Sequence, residues 1–243
     1  MELPHQALGY DRAITTFAPD GRILQVEYAR QAARQGSTAL ALVTKEGIVI
    51  LADKKIPNKL VISDSVEKIF KIDDHILATF AGFISDGRVL IERARIIAQE
   101  HRIVYGTKID VRSLVKDIAD YMQIFTQYGG LRPFGVAIIF AGINEDGTKE
   151  LFMIEPSGAY FQYKAAVIGE GEVKIWSILE KEYKEEISLK DGIKLGLKAL
   201  KEALGKDFDI NRVDGAVITK EGIKFLTRKE MEEYFKEING QKT

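Results

Sequence analysis

Apolar and polar residues alternate along this chain in blocks. "STALALV" (37–43) and "GIVILADK" (47–54) are strand-like runs, and Thr44-Lys45-Glu46 between them suits a hairpin. "KIFKID" (68–73) and "HILATFAG" (75–82) repeat the arrangement around Asp73-Asp74. Helical stretches follow over about 84–104 and 110–127. In the second of these Val111, Leu114, Ile118, Met122 and Phe125 recur at spacings of three and four, and Asp110 stands at the N-cap. The second half is built like the first. "FGVAIIFAGI" (134–143), the turn "NEDG" (144–147), "ELFMIE" (150–155), "PSG" (156–158) and "AYFQYKAAVIG" (159–169) form a strand group. Helices are predicted at about 171–184 and 189–204. "GAVIT" (215–219) and "IKFL" (223–226) flank Lys220-Glu221-Gly222, and a last helix spans 228–238 with Met231, Tyr234, Phe235 and Ile238 on one side.

The order is strands, two helices, strands, two helices, strands, helix. Strands that come in hairpin groups argue for antiparallel sheets covered by helix pairs. The expected fold is α+β, a four-layer αββα sandwich of two antiparallel sheets flanked by helix pairs. No Pro/Gly/Ser-rich linker and no short-period repeat interrupts it, so one domain over 1–243 is expected. Within it, 1–35 form an N-terminal segment and helix, and 36–243 the sandwich.

The N-terminal segment "GYDRAITTFAPDGRILQVEYAR" (9–30) precedes all of this. It starts polar and aperiodic, turns at Pro19-Asp20-Gly21, and enters a helix near Arg22 that Asp20 is placed to cap. On that helix Leu24, Val26, Tyr28, Ala29, Ala32 and Ala33 share one arc, and Glu27, Arg30, Gln31 and Arg34 the opposite one. An alanine-rich arc permits close approach, either to the chain's own core or to another subunit.

Composition narrows the chemistry. Hydrophobic residues make up 46% and charged residues 29%, with a formal net charge of −1, so no long-range field favours nucleic acid. The absence of cysteine removes disulfides, thiolate metal sites and a cysteine nucleophile. No signal-peptide pattern and no apolar run of the ~20 residues a membrane span needs is visible, and a cytoplasmic protein is expected. His5, His75 and His101 are the only histidines, and none has a metal-ligand partner at helical spacing. No cofactor motif occurs. Gly169-Glu170-Gly171 reads as a strand-to-helix turn, because Glu170 repels phosphate, and Asp73-Asp74 as a turn pair. One constellation is sharper. Ser37 opens the first strand of the sandwich, where N-terminal-nucleophile hydrolases carry a hydroxyl or thiol nucleophile whose freed α-amine, titrating at about 7.7–8.0, serves as base. Ser37 can act so only if the 36 residues ahead of it are removed.

The stretches "YDRAITTFAPDGRILQVEYAR", "GSTALAL", "ADKK" (52–55), "SVEKIFKIDDH" (65–75), "TQYGGLRPFGV" (126–136) and "LEKEYKEEISLKDGIKLGLKAL" (179–200) resemble the α-subunits of the proteasome core particle, archaeal type. The resemblance covers nearly the whole chain and weakens over the last 25 residues or so. It implies a non-catalytic structural and gating subunit in an outer heptameric ring that controls substrate entry. Its implied partners are other α-subunits, proteasome β-subunits, an ATP-dependent activator engaged through its C-terminal tails, and unfolded protein substrates. Tyr10, Asp11, Arg12, Pro19 and Tyr28 match the family's gate cluster. Lys68 matches the lysine that receives the carboxylate of a tail ending hydrophobic-tyrosine-any, with Gly36 and Phe83 in the pocket wall. For Lys68 the plainer alternative is a surface lysine paired with Glu67 or a nearby acid. "AGFISDGR" (81–88) departs from the usual Ser-Gly-Leu-Val-Ala-Asp-Ala-Arg: Phe83 is bulkier than leucine, and Gly87 costs up to ~1 kcal/mol if it lies inside the helix. Gln31 replaces a usual glutamate. The rival reading is a self-processing hydrolase that uses Ser37, supported by Asp53 and Lys68.

Overall fold

Ten strands form two five-stranded antiparallel sheets in a computed structural model that describes residues 9, 12–56, 58, 60–238 and 240. The helix α1 (Leu24–Arg34) leads into β1 (Ala39–Val43) and β2 (Gly47–Asp53), then β3 (Ile69–Asp73) and β4 (Ile76–Gly82). The helices α2 (Ile84–Tyr105) and α3 (Val111–Ile124) follow, then β5 (Val136–Ile143), β6 (Lys149–Ile154), β7 (Tyr160–Gln162) and β8 (Ala165–Ile168). The chain continues through α4 (Glu172–Glu182), α5 (Leu189–Leu204), β9 (Val213–Thr219), β10 (Gly222–Phe225) and α6 (Arg228–Ile238). One sheet has the order β10-β9-β2-β1-β8, the other β3-β4-β5-β6-β7.

The layers follow from strands buried on both faces. In β2, Ile48, Ile50 and Ala52 point between the sheets, while Val49 and Leu51 point outward under α5. In β5, Ile139 and Ala141 face the other sheet, and Ile138 and Phe140 face α2 and α3. Both faces need apolar side chains, so these strands read as continuous hydrophobic runs and not as an alternation. The result is the expected αββα order, with α2 and α3 on one outside and α4, α5 and α6 on the other. Among the described residues no helix is long and apolar enough to cross a membrane.

Three local expectations are corrected. Asp20 caps no helix: α1 starts at Leu24, its N-cap Ile23 makes no side-chain bond, and Asp20 instead holds Arg22 through Nε at 2.9 Å and Nη2 at 2.6 Å. Asp110 occupies the N-cap of α3 but makes no capping bond. There the first free N–H groups go to distant acceptors, Val111 to Asn144 at 3.0 Å and Arg112 to Glu150 at 3.3 Å. Residues 159–169 form two strands in different sheets. β7 pairs with β6, β8 pairs with β1, and the chain crosses over at Tyr163 and Lys164. The crossing stays hydrogen-bonded, with the Tyr163 N–H donating to Leu151 at 2.8 Å and the Val43 N–H to Lys164 at 2.8 Å.

Phe140 is fully buried between β5 and the α2–α3 pair. Phe140→Ala leaves a cavity there and is expected to cost about 3–5 kcal/mol. A lowered urea midpoint for the isolated protein, at unchanged slope, checks this.

Candidate functional site

The N-terminal helix is seated on the open edge of the sandwich. Leu24, Val26, Ala29 and Ala33 are buried, and α1 packs against β4 and β5. Tyr28, placed on the apolar arc by its spacing, stays substantially exposed because the seat is narrower than the arc. Ion pairs flank the seat: Arg30 with Glu155 at 2.8 Å and with Glu27 at 2.7 Å, and Arg34 with Glu172 at 2.8 Å. Burial raises the Glu172 carboxyl above its ordinary value, with Arg34 opposing. Ahead of α1, Ala18 is buried while Pro19 is exposed in a turn closed by the Gly21 N–H on the Ala18 carbonyl at 2.8 Å. Gly21 has a φ of 81°, which favours glycine. Arg12 is exposed. Tyr10 and Asp11 lie outside the described residues, as does His5.

The end of α1 meets the rim of the second sheet through glycine. A Cβ on Gly36 would lie 2.0 Å from the Gly82 nitrogen and 2.7 Å from the Ala81 carbonyl carbon. A Cβ on Gly82 would lie 2.0 Å from the Gly135 oxygen, and one on Gly135 would lie 2.5 Å from the Phe83 ring. The Phe83 ring lies over Gly135 and is 53% exposed. The Phe83 N–H donates to Gly135 at 3.0 Å, and the Arg132 guanidinium lies 5.7 Å from the Phe83 ring centre. Asp86 fixes Arg132 bidentately at 2.6 and 2.8 Å and accepts the Gly135 N–H at 2.9 Å. Burial pulls the Asp86 carboxyl upward, but the bonds from Arg132 and Gly135 together hold it below its ordinary value.

Lys68 lies just ahead of β3 and is only 6% exposed, so it is not the surface lysine of the plainer alternative. Its ammonium donates to the Phe80 carbonyl and sits 5.0 Å from the Phe80 ring centre. Burial lowers its pKa to about 8, partly offset by Asp53. Asp53, buried at the end of β2, is itself held bidentately by Arg212 at 2.8 and 3.1 Å. Burial pushes the Asp53 carboxyl up, with Arg212 opposing. Gly36 and Phe83 thus meet at the Gly82–Gly135 rim, and Lys68 lies across from Phe80, two residues before Gly82. Ser37 is half-buried and follows α1 without a break. Its neighbour Gly36 accepts the Glu170 N–H at 2.9 Å, and a Cβ on Gly169 would lie 2.7 Å from the Ser37 oxygen.

The remaining candidates have structural settings. His75 Nε2 bonds the Ile109 carbonyl at 2.8 Å, and His101 Nδ1 the Thr107 carbonyl at 3.2 Å. No group of three potential metal ligands occurs among the described residues. Gly169, with a φ of 95°, and Gly171, the N-cap of α4, form the expected strand-to-helix turn.

A family model described as proteasome subunit matches residues 33–218, and one for the N-terminal signature of A-type proteasome subunits matches residues 10–32. The chain belongs to the proteasome α-subunit family. A proteasome α-subunit of Methanopyrus kandleri is 47% identical over 95% of this chain and 94% of its own length. One of Pyrococcus horikoshii is 47% identical over 97% and 90%, and one of Methanoregula boonei 44% identical over 95% and 97%. As a proteasome α-subunit of archaeal type, the chain is a structural part of the core particle and assembles with other proteasome subunits. Two ion pairs at this rim had no local sequence signal. Asp86 and Arg132 are 46 positions apart, and Asp53 and Arg212 are 159 apart.

A lysine buried with its charge destabilises the fold, with a definite dependence on pH. The folded pKa, about 8, lies below the ordinary 10.5, so the unfolded chain binds more protons between these values. The penalty, of the order of 3 kcal/mol at most, is complete below about pH 8 and fades as pH rises toward 10.5. Lys68→Met is therefore expected to raise the thermal midpoint of the isolated protein at pH 7. That advantage should shrink in melts recorded from pH 8 to 10.

Proposed function

We propose that this chain is the gating subunit of the particle's outer ring and carries no catalytic residue of its own. Seven α-subunits, this chain among them, surround an axial pore in a cytoplasmic particle. The segment ahead of α1, with Tyr10, Asp11 and Arg12, lies across the pore, while the Pro19 turn and Tyr28 hold its base. Lys68, with Gly36 and Phe83 in the wall, receives the C-terminal carboxylate of an ATP-dependent activator's tail. Unfolded protein then passes inward to the β-ring docked beneath. An ammonium suits this task as a compact point charge with three donors, of which Phe80 takes one.

One observation carries the reading: α1 is built into the sandwich edge ahead of Ser37, with Gly36 pressed on the Gly82 backbone. Such a seat supports reading the segment as part of the mature fold and not as a leader awaiting removal. It delivers the residues before it to a fixed place. The rival, a hydrolase that frees Ser37, requires the loss of all of α1 and its buried side chains.

Deletion of residues 1–12 is expected to raise hydrolysis of short fluorogenic peptides by the assembled particle several-fold. An unchanged rate counts against gating. Lys68→Ala is expected to abolish stimulation by activator tails while rings still form in electron micrographs. Intact-mass measurement of the mature chain separates the two classes: a polypeptide beginning at Ser37, with peptidase activity of its own, overturns the non-catalytic assignment.

A further inference from the structure

We propose that Phe80 is a positioning residue that holds the Lys68 ammonium in place for a tail carboxylate, and that Gly87 is the notch that lets Phe80 do so. The proposal rests on reading Lys68 as the tail receptor. Lys68 stands one position beyond the Ile69–Thr79 pair of the β3–β4 ladder, so it lies across from Phe80. It is tied to that strand at both ends. Its carbonyl accepts the Thr79 hydroxyl at 2.8 Å, and its ammonium donates to the Phe80 carbonyl over the face of the Phe80 ring. The negative face of an aromatic ring compensates a cation removed from water. Asp53, at the end of β2, acts on this ammonium, and its carboxylate is itself held by Arg212, just ahead of β9.

The Phe80 ring has little freedom. On one side it stacks on Phe70, with centres 5.4 Å apart and planes 12° from parallel. On another it fills the first turn of α2 at Gly87. A Cβ on Gly87 would lie 2.4 Å from two ring carbons of Phe80 and 2.6 Å from a third. Phe80 belongs to a closely packed core layer with Leu90, Ile91 and Ile138, which leaves it nowhere to retreat. Gly87 does lie inside α2, where glycine is unfavourable, and the Phe80 ring is the physical reason it stands there. A side chain at position 87 tilts the ring, and the ring carries the ammonium with it.

The test is made on assembled particles. The concentration of a synthetic peptide ending Leu-Tyr-Ala that half-maximally stimulates fluorogenic-peptide hydrolysis is measured for each variant. Phe80→Leu keeps the carbonyl and removes the ring, and is expected to raise that concentration about fivefold. Gly87→Ala is expected to raise it about tenfold at unchanged maximal stimulation, yet to add less than about twofold in the Phe80→Leu background. Because positions 80 and 87 touch, their stability effects couple as well, so the thermal midpoint of each variant is measured alongside, and half-maximal concentrations that merely track those midpoints overturn the proposal. An unchanged value in Phe80→Leu, or an equal loss from Gly87→Ala in both backgrounds, overturns the proposal. If Gly87→Ala fails to assemble, Phe80→Leu alone decides. Lys68→Ala separates the two levels. Stimulation surviving in that variant removes the receptor reading and this proposal together. Stimulation lost there but normal in both other variants removes the positioning role alone.

Discussion

The architecture of the candidate site depends on a backbone contact that leaves no room for a side chain. Gly36 ends the approach of α1, Gly82 ends β4, and Gly135 precedes β5, each where an added Cβ would strike a neighbour within 2.0–2.5 Å. Most such contacts are with backbone, which cannot swing aside. Overpacking a site like this costs more than a rotamer change, because strand positions must shift. Two consequences follow from these close approaches. The end of α1 is pressed onto the Gly82 backbone, and the Phe83 ring lies over Gly135 beside Arg132. Only Gly82 of the three has a positive φ, at 123°. The other two glycines are required by close approach and not by dihedral freedom.

Behind that rim the electrostatics are arranged asymmetrically. Asp53 and Lys68 are both buried, and a direct pair between them would leave neither free. Arg212 takes both oxygens of Asp53, so the carboxylate's near lone pairs are spent on the guanidinium. Lys68 is left with a neutral carbonyl and an aromatic face as its immediate support. Neutral partners satisfy an ammonium less fully than a carboxylate does, which is why burial dominates and lowers its pKa. A cation under-compensated in a dry place has the most to gain from an incoming anion. The low stability of this arrangement and the receptor role proposed for Lys68 rest on the same cause.

How much of this was legible in the sequence depends on whether the signal was local. The hairpins around Thr44-Lys45-Glu46, Asp73-Asp74 and Lys220-Glu221-Gly222 were readable, because turn residues between apolar runs determine them. The helices Leu189–Leu204 and Arg228–Ile238 lie where the sequence places them, at about 189–204 and about 228–238. The β7–β8 crossing was not. Tyr163 and Lys164 are as compatible with a strand as their neighbours, and only the positions of Leu151 and Val43 in two sheets divide the run. Caps failed for a related reason. Asp20 and Asp110 stand in suitable places, but Arg22 captures the first, and Asn144 and Glu150 replace the second. At the site, Lys68, Gly36 and Phe83 are proposed through family resemblance. Gly87 stood out in the sequence only as a departure from the usual alanine; its reason, with Phe80 and Arg132, emerges from contacts across the fold.

What holds α1 in its seat can be decided by magnitude. Its ion pairs to Glu155 and Glu172 join side chains that are partly open to water. Such pairs contribute about 0–1 kcal/mol each and weaken further with salt, since charges are screened over ~8 Å at physiological ionic strength. Burial of Leu24 and Val26 contributes about 1.5–3 kcal/mol each, with smaller amounts from Ala29 and Ala33. The apolar face therefore fixes the helix, and the arginines choose its rotation. Raising the salt concentration loosens the arginine contacts but leaves the seat, and so the base of the segment ahead of it, in place.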